Sequence, residues 1–430
     1  MFSKYNISIN IGDNIWIYNT FKKSIIKLSQ QEYDQILNGD IEKISSELHK
    51  SLIQKGIVFF GENESEVLLK EYEKCVEDLK LELMIISSTA CNFACGYCYE
   101  NLVPKSIDKK FEIVLLKYLE KNIRNFKSLF LEWFGGEPLI EKKYVISISK
   151  EVKKLCQENH ISFLSSITTN GYFLDYSTFS ELLSANVIYY QVTIDGDKDW
   201  HDKYRPLVNG AGTYEKIMSN LLDIKKKSPV NKYFRLTIRN NICKENIESC
   251  GKFAKIFEKN FGNDKRFDIF QFPISNWGGK KIEGLKNNLF HKKDILSSNL
   301  KSTRQDILES MGGSCCIASK KNGFVIAPDY QVYKCNHYIQ KSEICGKHNH
   351  IGELKSNGEL SINNFHKKEW IKEEISEECR NCKYLPNCLV KCPFSNLLPN
   401  SECIEYEEKV LLNKLQNFIE LQEDRKEKFI

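Results

Sequence analysis

Nowhere in its 430 residues does this chain gather the roughly 18 consecutive apolar residues that a membrane-spanning helix requires. The opening stretch Met1-Phe2-Ser3-Lys4-Tyr5-Asn6-Ile7-Ser8 also lacks the apolar core of a secretion signal. A cytoplasmic protein with no membrane role is expected. An excess of one charge sign is missing too: 62 basic residues stand against 57 acidic ones, leaving +5 without the footprint of nucleic-acid binding. No internal repeat points to a solenoid. With 41% hydrophobic residues, the chain has enough apolar side chain for a large core spread over two or three domains.

What the chain does have is cysteine, 16 of them. In a reducing compartment disulfides do not persist, so metal or cluster ligation is the better reading of such a number. Their distribution supports it. Three fall at Cys91, Cys95 and Cys98. Seven more are Cys316, Cys335, Cys379, Cys382, Cys388, Cys392 and Cys403, with Cys315 and Cys345 beside them. Cys75, Cys156, Cys243 and Cys250 are scattered and read as small buried hydrophobes.

From Lys80 to about Ile274, β-rich apolar runs alternate with helical periodicity, the pattern of βα units around a parallel sheet. Six strands are expected: Leu81 to Ser87, Leu129 to Trp133, Phe163 to Thr169, Val187 to Ile194, Tyr233 to Ile238 and Phe267 to Phe272. Helices are expected at Phe111 to Phe126, Lys143 to Gln157, Tyr214 to Lys227 and Lys244 to Lys259. Ligands of parallel α/β sheets collect at the C-terminal strand ends. Ahead of this core, residues 1–62 read as three short strands and two helices, and 63–80 as a charged linking helix. Past residue 280 the periodicity fades while Cys, Gly, Asn and Pro rise, so metal is expected to shape that region more than a core does.

The run Cys91-Asn92-Phe93-Ala94-Cys95-Gly96-Tyr97-Cys98 follows the first strand of the βα series. Three thiolates bind three irons of a cubane cluster and leave the fourth iron open to another ligand, whereas most electron-transfer clusters have four thiolates. A zinc knuckle is the plain alternative. The CxxxCxxC loop, with Tyr97 before its third cysteine, resembles that of the radical SAM superfamily. Further segments match that family in order. Gly135-Gly136-Glu137-Pro138 ends the second strand and resembles the GGEP segment, whose backbone and glutamate receive the methionine ammonium of S-adenosylmethionine (SAM). Gly-Gly at a strand terminus lets backbone approach a ligand closely. Thr168-Thr169-Asn170-Gly171 and Gln191-Val192-Thr193-Ile194-Asp195-Gly196 end the next two strands. By the resemblance Asn170 and Thr193 are candidates for ribose and carboxylate contacts.

His201-Asp202-Lys203-Tyr204-Arg205-Pro206 and Gly212-Thr213-Tyr214 resemble elements of peptide- and protein-modifying members of the family. Arg205 is either a substrate contact or a partner of Asp195 that holds the loop. Arg239, ending the fifth strand, touches SAM or neutralises a carboxylate.

The second cysteine group resembles the SPASM domain, which implies two auxiliary 4Fe-4S clusters and three clusters in all. On that pattern Cys379, Cys382, Cys388 and Cys403 bind one cluster, and Cys392 joins Cys316 and Cys335 at the other. Cys315, Cys345 or an open position completes it. A zinc ribbon on Cys379, Cys382, Cys388 and Cys392 is the alternative. His337, His348 and His350 lie nearby and read as solvated loop residues. One departure stands out: the family carries glycine five residues before the second cysteine of this group, and this chain has Tyr330. A turn that favours a positive backbone angle accepts such a residue at some cost.

The expected fold is therefore α/β. A partial (β/α)6 TIM-type barrel (81–280) follows a small winged-helix-like module. A bridging segment (281–312), a Cys-rich SPASM domain (313–410) and a terminal helix (411–430) come after it. The resemblance implies an oxidoreductase that cleaves SAM reductively to a 5′-deoxyadenosyl radical. It implies a ribosomally made precursor peptide as substrate, crosslinked through thioether formation at Cys, with its leader held by residues 1–62. It also implies an electron donor such as flavodoxin or ferredoxin. An anaerobic sulfatase-maturating activity is the nearest alternative, weighed against by Asn336 standing after Cys335 where a proton-accepting carboxylate is sought. A non-enzymatic iron-sulfur protein would have no use for residues 135–138.

Overall fold

A computed structural model describes residues 1–61, 63–77, 79–98, 100, 103–274, 316–336, 348–371 and 374–389, with six positions between 411 and 419. These residues group into two compact units.

The larger unit holds the described residues of Leu79–Ile295 and Lys321–Glu369. Six parallel strands lie side by side in chain order. They are β4 (Lys80–Ser88), β5 (Ser128–Gly135), β6 (Ser162–Thr169), β7 (Val187–Thr193), β8 (Arg235–Ile242) and β9 (Phe267–Pro273). Helices α4 (Lys109–Asn122), α5 (Lys142–Glu158), α6 (Tyr176–Ser184), α7 (Lys198–Tyr204), α8 (Tyr214–Lys227) and α9 (Ile247–Phe261) return the chain between them. This is the mostly parallel α/β sheet of a partial barrel. Alternate strand residues, Leu81, Leu83 and Ile85 on β4 and Leu129, Leu131 and Trp133 on β5, pack against the helices in one core. Helix α5 meets them with Val145, Ile148, Val152 and Cys156, one stripe at helical spacing. The intervening residues of β5, Glu132 among them, face the opposite side of the sheet.

Helices α6 and α7 were not among the expected elements, being short. Strand β8 runs to Ile242, four residues beyond the expected end, because its polar tail binds the end of β7: Asn240 Nδ2 donates to the Ile194 carbonyl (2.7 Å) and the Asn241 amide to Asp195 (2.9 Å). The sheet also continues past β4. Strand β10 (Gly323–Ile326) pairs with β4 in parallel, and β11 (Gln331–Tyr333), β12 (His350–Leu354) and β13 (Leu360–Ile362) follow in antiparallel pairing. Phe324, Ile326, Val332, Ile351 and Leu354 join the same core. This part of the last third is thus packed into the main hydrophobic core, where metal was expected to shape it more than a core does.

The smaller unit holds the described residues of Met1–Asp78, Leu296–Lys320 and Trp370–Ile430. Strands β1 (Asn6–Ile11), β2 (Asn14–Asn19) and β3 (Ser24–Ser29) form an antiparallel sheet with β2 in the middle. Helices α1 (Gln30–Leu37), α2 (Ser46–Gln54) and α3 (Glu64–Glu77) follow. One face, with Ile15, Ile17, Ile26 and Leu28, packs on Ile36 of α1 and Leu52 of α2. The other, with Ile7, Trp16 and Tyr18, packs on Tyr384, Leu411, Leu415 and Phe418. Cys382 and Cys388 pack against that second cluster, while Lys4 Nζ and Ser65 Oγ both donate to the Arg380 carbonyl at 3.0 and 2.8 Å. Among the described residues no helix is long and apolar enough to cross a membrane.

Candidate radical-generating site

The three cysteines of the first group occupy the loop leaving β4, all partly buried, at the C-terminal end of the parallel strands. Backbone bonds brace this loop on both sides. The Ala94 and Gly96 amides donate to the carbonyls of Pro206 and Tyr204 at 2.8 and 2.9 Å, and the Val208 amide to Asn92 at 3.0 Å. From the other side come the carbonyls of Ser88 and Ala90, accepting from the Gly136 and Glu137 amides at 2.9 and 3.0 Å. That approach explains the glycine pair. Gly135 has φ +133, and a Cβ on it would collide with the Ser88 carbonyl; one on Gly136 would lie 2.6 Å from the Ala90 oxygen. The backbone that Gly135 and Gly136 approach closely is the start of the cysteine loop.

Glu137 is fully buried and accepts from Thr169 Oγ1 (2.7 Å), the Asn170 amide (2.7 Å) and the Leu139 amide (2.9 Å). Its carboxylate thus ties the end of β5 to that of β6, and Pro138 opens a single tight turn behind it. Burial pushes the Glu137 carboxyl up, against the hydrogen bonds from Asn170, Thr169 and Leu139. Asn170 Nδ2 donates to Asn92 Oδ1 at 2.8 Å and lies 4.0 Å from Cys91 Sγ. Thr193, also buried, closes β7 opposite Arg239. Arg239 Nε donates to Asn241 Oδ1 at 2.8 Å, and its guanidinium lies 4.2 Å over the Phe272 ring.

Tyr97 is held by three groups. Arg205 donates to its hydroxyl at 2.7 Å and Asn241 Nδ2 at 3.1 Å, and the hydroxyl donates to Asp195. Arg205 lies 3.7 Å from Asp195. Burial works against the Arg205 charge, but Cys95, Tyr97 and Asp195 more than offset it and keep the guanidinium cationic. The ion pair with Asp195 is the loop-bracing contact named for Arg205 from the sequence.

Behind it lies a lock that the motifs HDxxR and GTY signalled without revealing its form. His201 Nδ1 accepts from the Asp195 amide at 3.2 Å, so Nε2 carries the proton and donates to Thr213 Oγ1 at 3.1 Å, which in turn donates to the Arg205 carbonyl at 2.8 Å. Asp202 Oδ1 takes the amides of Thr213 and Tyr214 at 2.7 and 2.8 Å, fixing the start of α8. Asn92 and Asn241 are the site residues that sequence reasoning missed; the polar pair Asn240-Asn241 ending an apolar strand was the available signal.

The site has the donors a cluster and its ligand need. Three thiols share one short, braced loop, and Asn92 Nδ2, Glu100 Oε2 and Arg205 Nε are buried without a hydrogen-bond partner among the described residues. Burial pushes the Cys91 thiol up to about 12 and the Glu100 carboxyl to about 7, so the thiolate form of Cys91 calls for a metal cation. Of the second group, Cys335 is buried just past β11, with its amide donating to Asn349 Oδ1 at 2.7 Å. Cys379 is exposed in a short helix, with Cys382 and Cys388 partly buried after it, and Cys316 is partly buried at the start of a single turn. Cys315, Cys345, Cys392, Cys403 and His337 lie outside the described residues.

Residues 85–253 match the radical SAM superfamily. A cysteine-type anaerobic sulfatase-maturating enzyme of Clostridium novyi is 28% identical over 71% of this chain and 86% of its own length. A radical SAM cyclopropyl synthase, TigE, of Paramaledivibacter caminithermalis is 24% identical over 87% of this chain and 82% of its own. The fold is that of a solved enzyme described as native anSMEcpe with bound AdoMet and Cp18Cys peptide, at a TM-score of 0.52 and 19% identity over 79% of this chain and 99% of that one. The braced CxxxCxxC loop, the Gly-Gly contact beneath it and the family match lead to one conclusion: residues 85–253 form a radical SAM domain, and the chain is a radical SAM enzyme that modifies a substrate.

Proposed function

We propose that this enzyme oxidatively crosslinks a ribosomally made peptide, forming a thioether at a substrate Cys. A 4Fe-4S cluster on Cys91, Cys95 and Cys98, with SAM at its open iron, would supply one-electron cleavage of the sulfonium and a radical able to abstract hydrogen. The chain's own part is to hold those thiols on a loop that Arg205, Tyr97 and the His201 lock keep in place. Asn170 and Thr193 offer hydrogen bonds at the strand ends beside it. Cys316, Cys335, Cys379, Cys382 and Cys388, with Cys315, Cys345, Cys392 and Cys403, are thiols for two auxiliary clusters, which would take the electron that leaves the substrate. A flavodoxin or ferredoxin is the expected donor of the first electron.

The observation that supports a peptide substrate is the small N-terminal sheet-and-helix module that precedes the radical SAM domain. The β1–β3 sheet with its following helices supports a leader-binding role. Both faces of that sheet are covered by apolar side chains, so a peptide would add as a further strand at an outer edge. A sulfatase-maturating activity is the second reading, favoured by the 28% identity to the Clostridium novyi enzyme.

Anaerobically reconstituted enzyme, given SAM, strong reductant and a Cys-containing peptide encoded beside it, is expected to release 5′-deoxyadenosine and leave the peptide two hydrogens lighter. An aldehyde at a Cys of a sulfatase-type peptide, with the first peptide untouched, would replace this reading by the second. No deoxyadenosine at all would sink both.

A further inference from the structure

Away from the cysteine loop, the described residues gather a second set of metal-ligating side chains. His366 and Glu369 stand three residues apart on the short helix Asn364–Glu369 and so share one face. His348 arrives from the chain just before β12. Its Nδ1 lies 3.0 Å from Glu369 Oε2, and His366 Nδ1 lies 3.1 Å from the same oxygen. The ligand atoms of all three residues fall within 4.8 Å of one another. The side chains are only 24–36% exposed. Burial would raise the Glu369 carboxyl, yet hydrogen bonds from His348 and His366 bring it below the usual carboxylate range.

We propose that His348, His366 and Glu369 form a binding site for a divalent cation of the zinc class, separate from the iron-sulfur ligands. Two imidazole nitrogens and one carboxylate oxygen are a donor set that zinc accepts. Bonds of about 2.0–2.2 Å to a tetrahedral ion set neighbouring ligand atoms roughly 3.3 Å apart. The two observed nitrogen–oxygen separations of 3.0 and 3.1 Å need to open by only a few tenths of an ångström. Three protein donors leave the fourth position to water. Lys367 and Lys368 lie between His366 and Glu369 on the helix, and the Lys367 ammonium sits 5.7 Å over the Phe324 ring.

The position suggests what the ion does. His348 adjoins Asn349, whose fully buried side chain accepts from the amides of Lys334 (3.0 Å) and Cys335 (2.7 Å) and donates to the Cys335 carbonyl (2.8 Å). A cation there fastens the helix Asn364–Glu369 to the segment that fixes the backbone at Cys335. Its role is structural, and the cleavage of SAM does not depend on it.

The test uses the reconstituted holoenzyme, loaded anaerobically with Zn2+, passed through a weak chelator and analysed for zinc per chain. Wild type is expected to keep about one equivalent that His366→Ala and Glu369→Gln both lose. His350→Ala keeps it, since that imidazole bonds to Gln331 at 2.7 Å instead. Zinc should raise the thermal midpoint of wild type and leave that of both variants unmoved, because only a native site is stabilised by its ligand. Circular dichroism checks that each variant folds, and His348→Gln supplies a third, milder change. Deoxyadenosine release by His366→Ala should match wild type, which separates this site from the proposed activity. Zinc retained equally by wild type and variants, or by neither at micromolar concentration, overturns the proposal.

Discussion

His201 is fully buried, and burial, then the nearby Arg205 charge, holds its imidazole well below the usual range. Below about pH 6.5 the unfolded chain therefore binds a proton that the folded chain refuses. The stability that this neutral ring contributes is present above that pH and is lost as pH falls. Glu132 works in the opposite direction. Burial, then the charge of Glu82, pushes its carboxyl from 4.5 to about 7. The folded state holds the extra proton here, so stability declines as pH rises from about 4.5 to 7. Urea midpoints measured across pH should show both limbs, with Glu132→Gln flattening the second and His201→Gln the acid one. Each change is bounded by about 1.4 kcal/mol per pH unit. A variant whose profile overlays wild type removes that residue from the account.

Strand ends and turns decide the next level. Tyr330 shows it, standing at φ +68 in the left-handed region that favours glycine. Its amide donates to the Ala327 carbonyl at 2.9 Å, its carbonyl accepts from the Leu354 amide at 2.8 Å, and its ring lies 5.5 Å from that of Phe111. The strained backbone angle costs roughly 1–2 kcal/mol, and the aromatic contact returns about 0.5–1.5 kcal/mol. Tyr330→Gly should consequently change stability by less than about 1 kcal/mol, relief of strain offsetting the lost ring. Tyr330→Val, which keeps the strain and adds a branched Cβ, should cost about 2 kcal/mol or more. Equal unfolding midpoints for the two variants would show that the angle is not strained in solution. The same logic explains the lengthened β8: Asn240 and Asn241 extend a strand that hydrophobicity alone would stop, because β7 offers them partners.

At the scale of the chain, the N-terminal sheet and Cys379, Cys382 and Cys388 share one compact unit. Tyr18 is fully buried in the cluster against which Cys382 and Cys388 pack. Truncating it should cost about 3–5 kcal/mol, as other large buried aromatics do. Tyr18→Ala should also lose iron from the C-terminal cysteines while the CxxxCxxC loop keeps its own. Replacing Cys91, Cys95 and Cys98 with alanine should do the reverse, lowering a reconstituted content of about twelve irons to about eight and abolishing deoxyadenosine formation. A wild-type content near four irons would remove the auxiliary clusters from the proposed function.

How much of this was written in the residues themselves depends on distance along the chain. The βα alternation, the cysteine loop and the glycine pair are local signals. Hydrophobic period and turn chemistry act over a few residues, so strands β4 to β9 and the position of Cys91, Cys95 and Cys98 at their C-terminal ends could be read directly. Contacts between remote segments could not. That Gly135 and Gly136 yield to the backbone of residues 88–90, that Arg205 steadies Tyr97, that β10 joins β4 across more than two hundred residues of sequence, and that His348 meets Glu369 are matters of packing in three dimensions. No sequence period carries them, because the groups that satisfy a buried carboxylate or crowd a glycine become neighbours only when the sheet closes the distance between them.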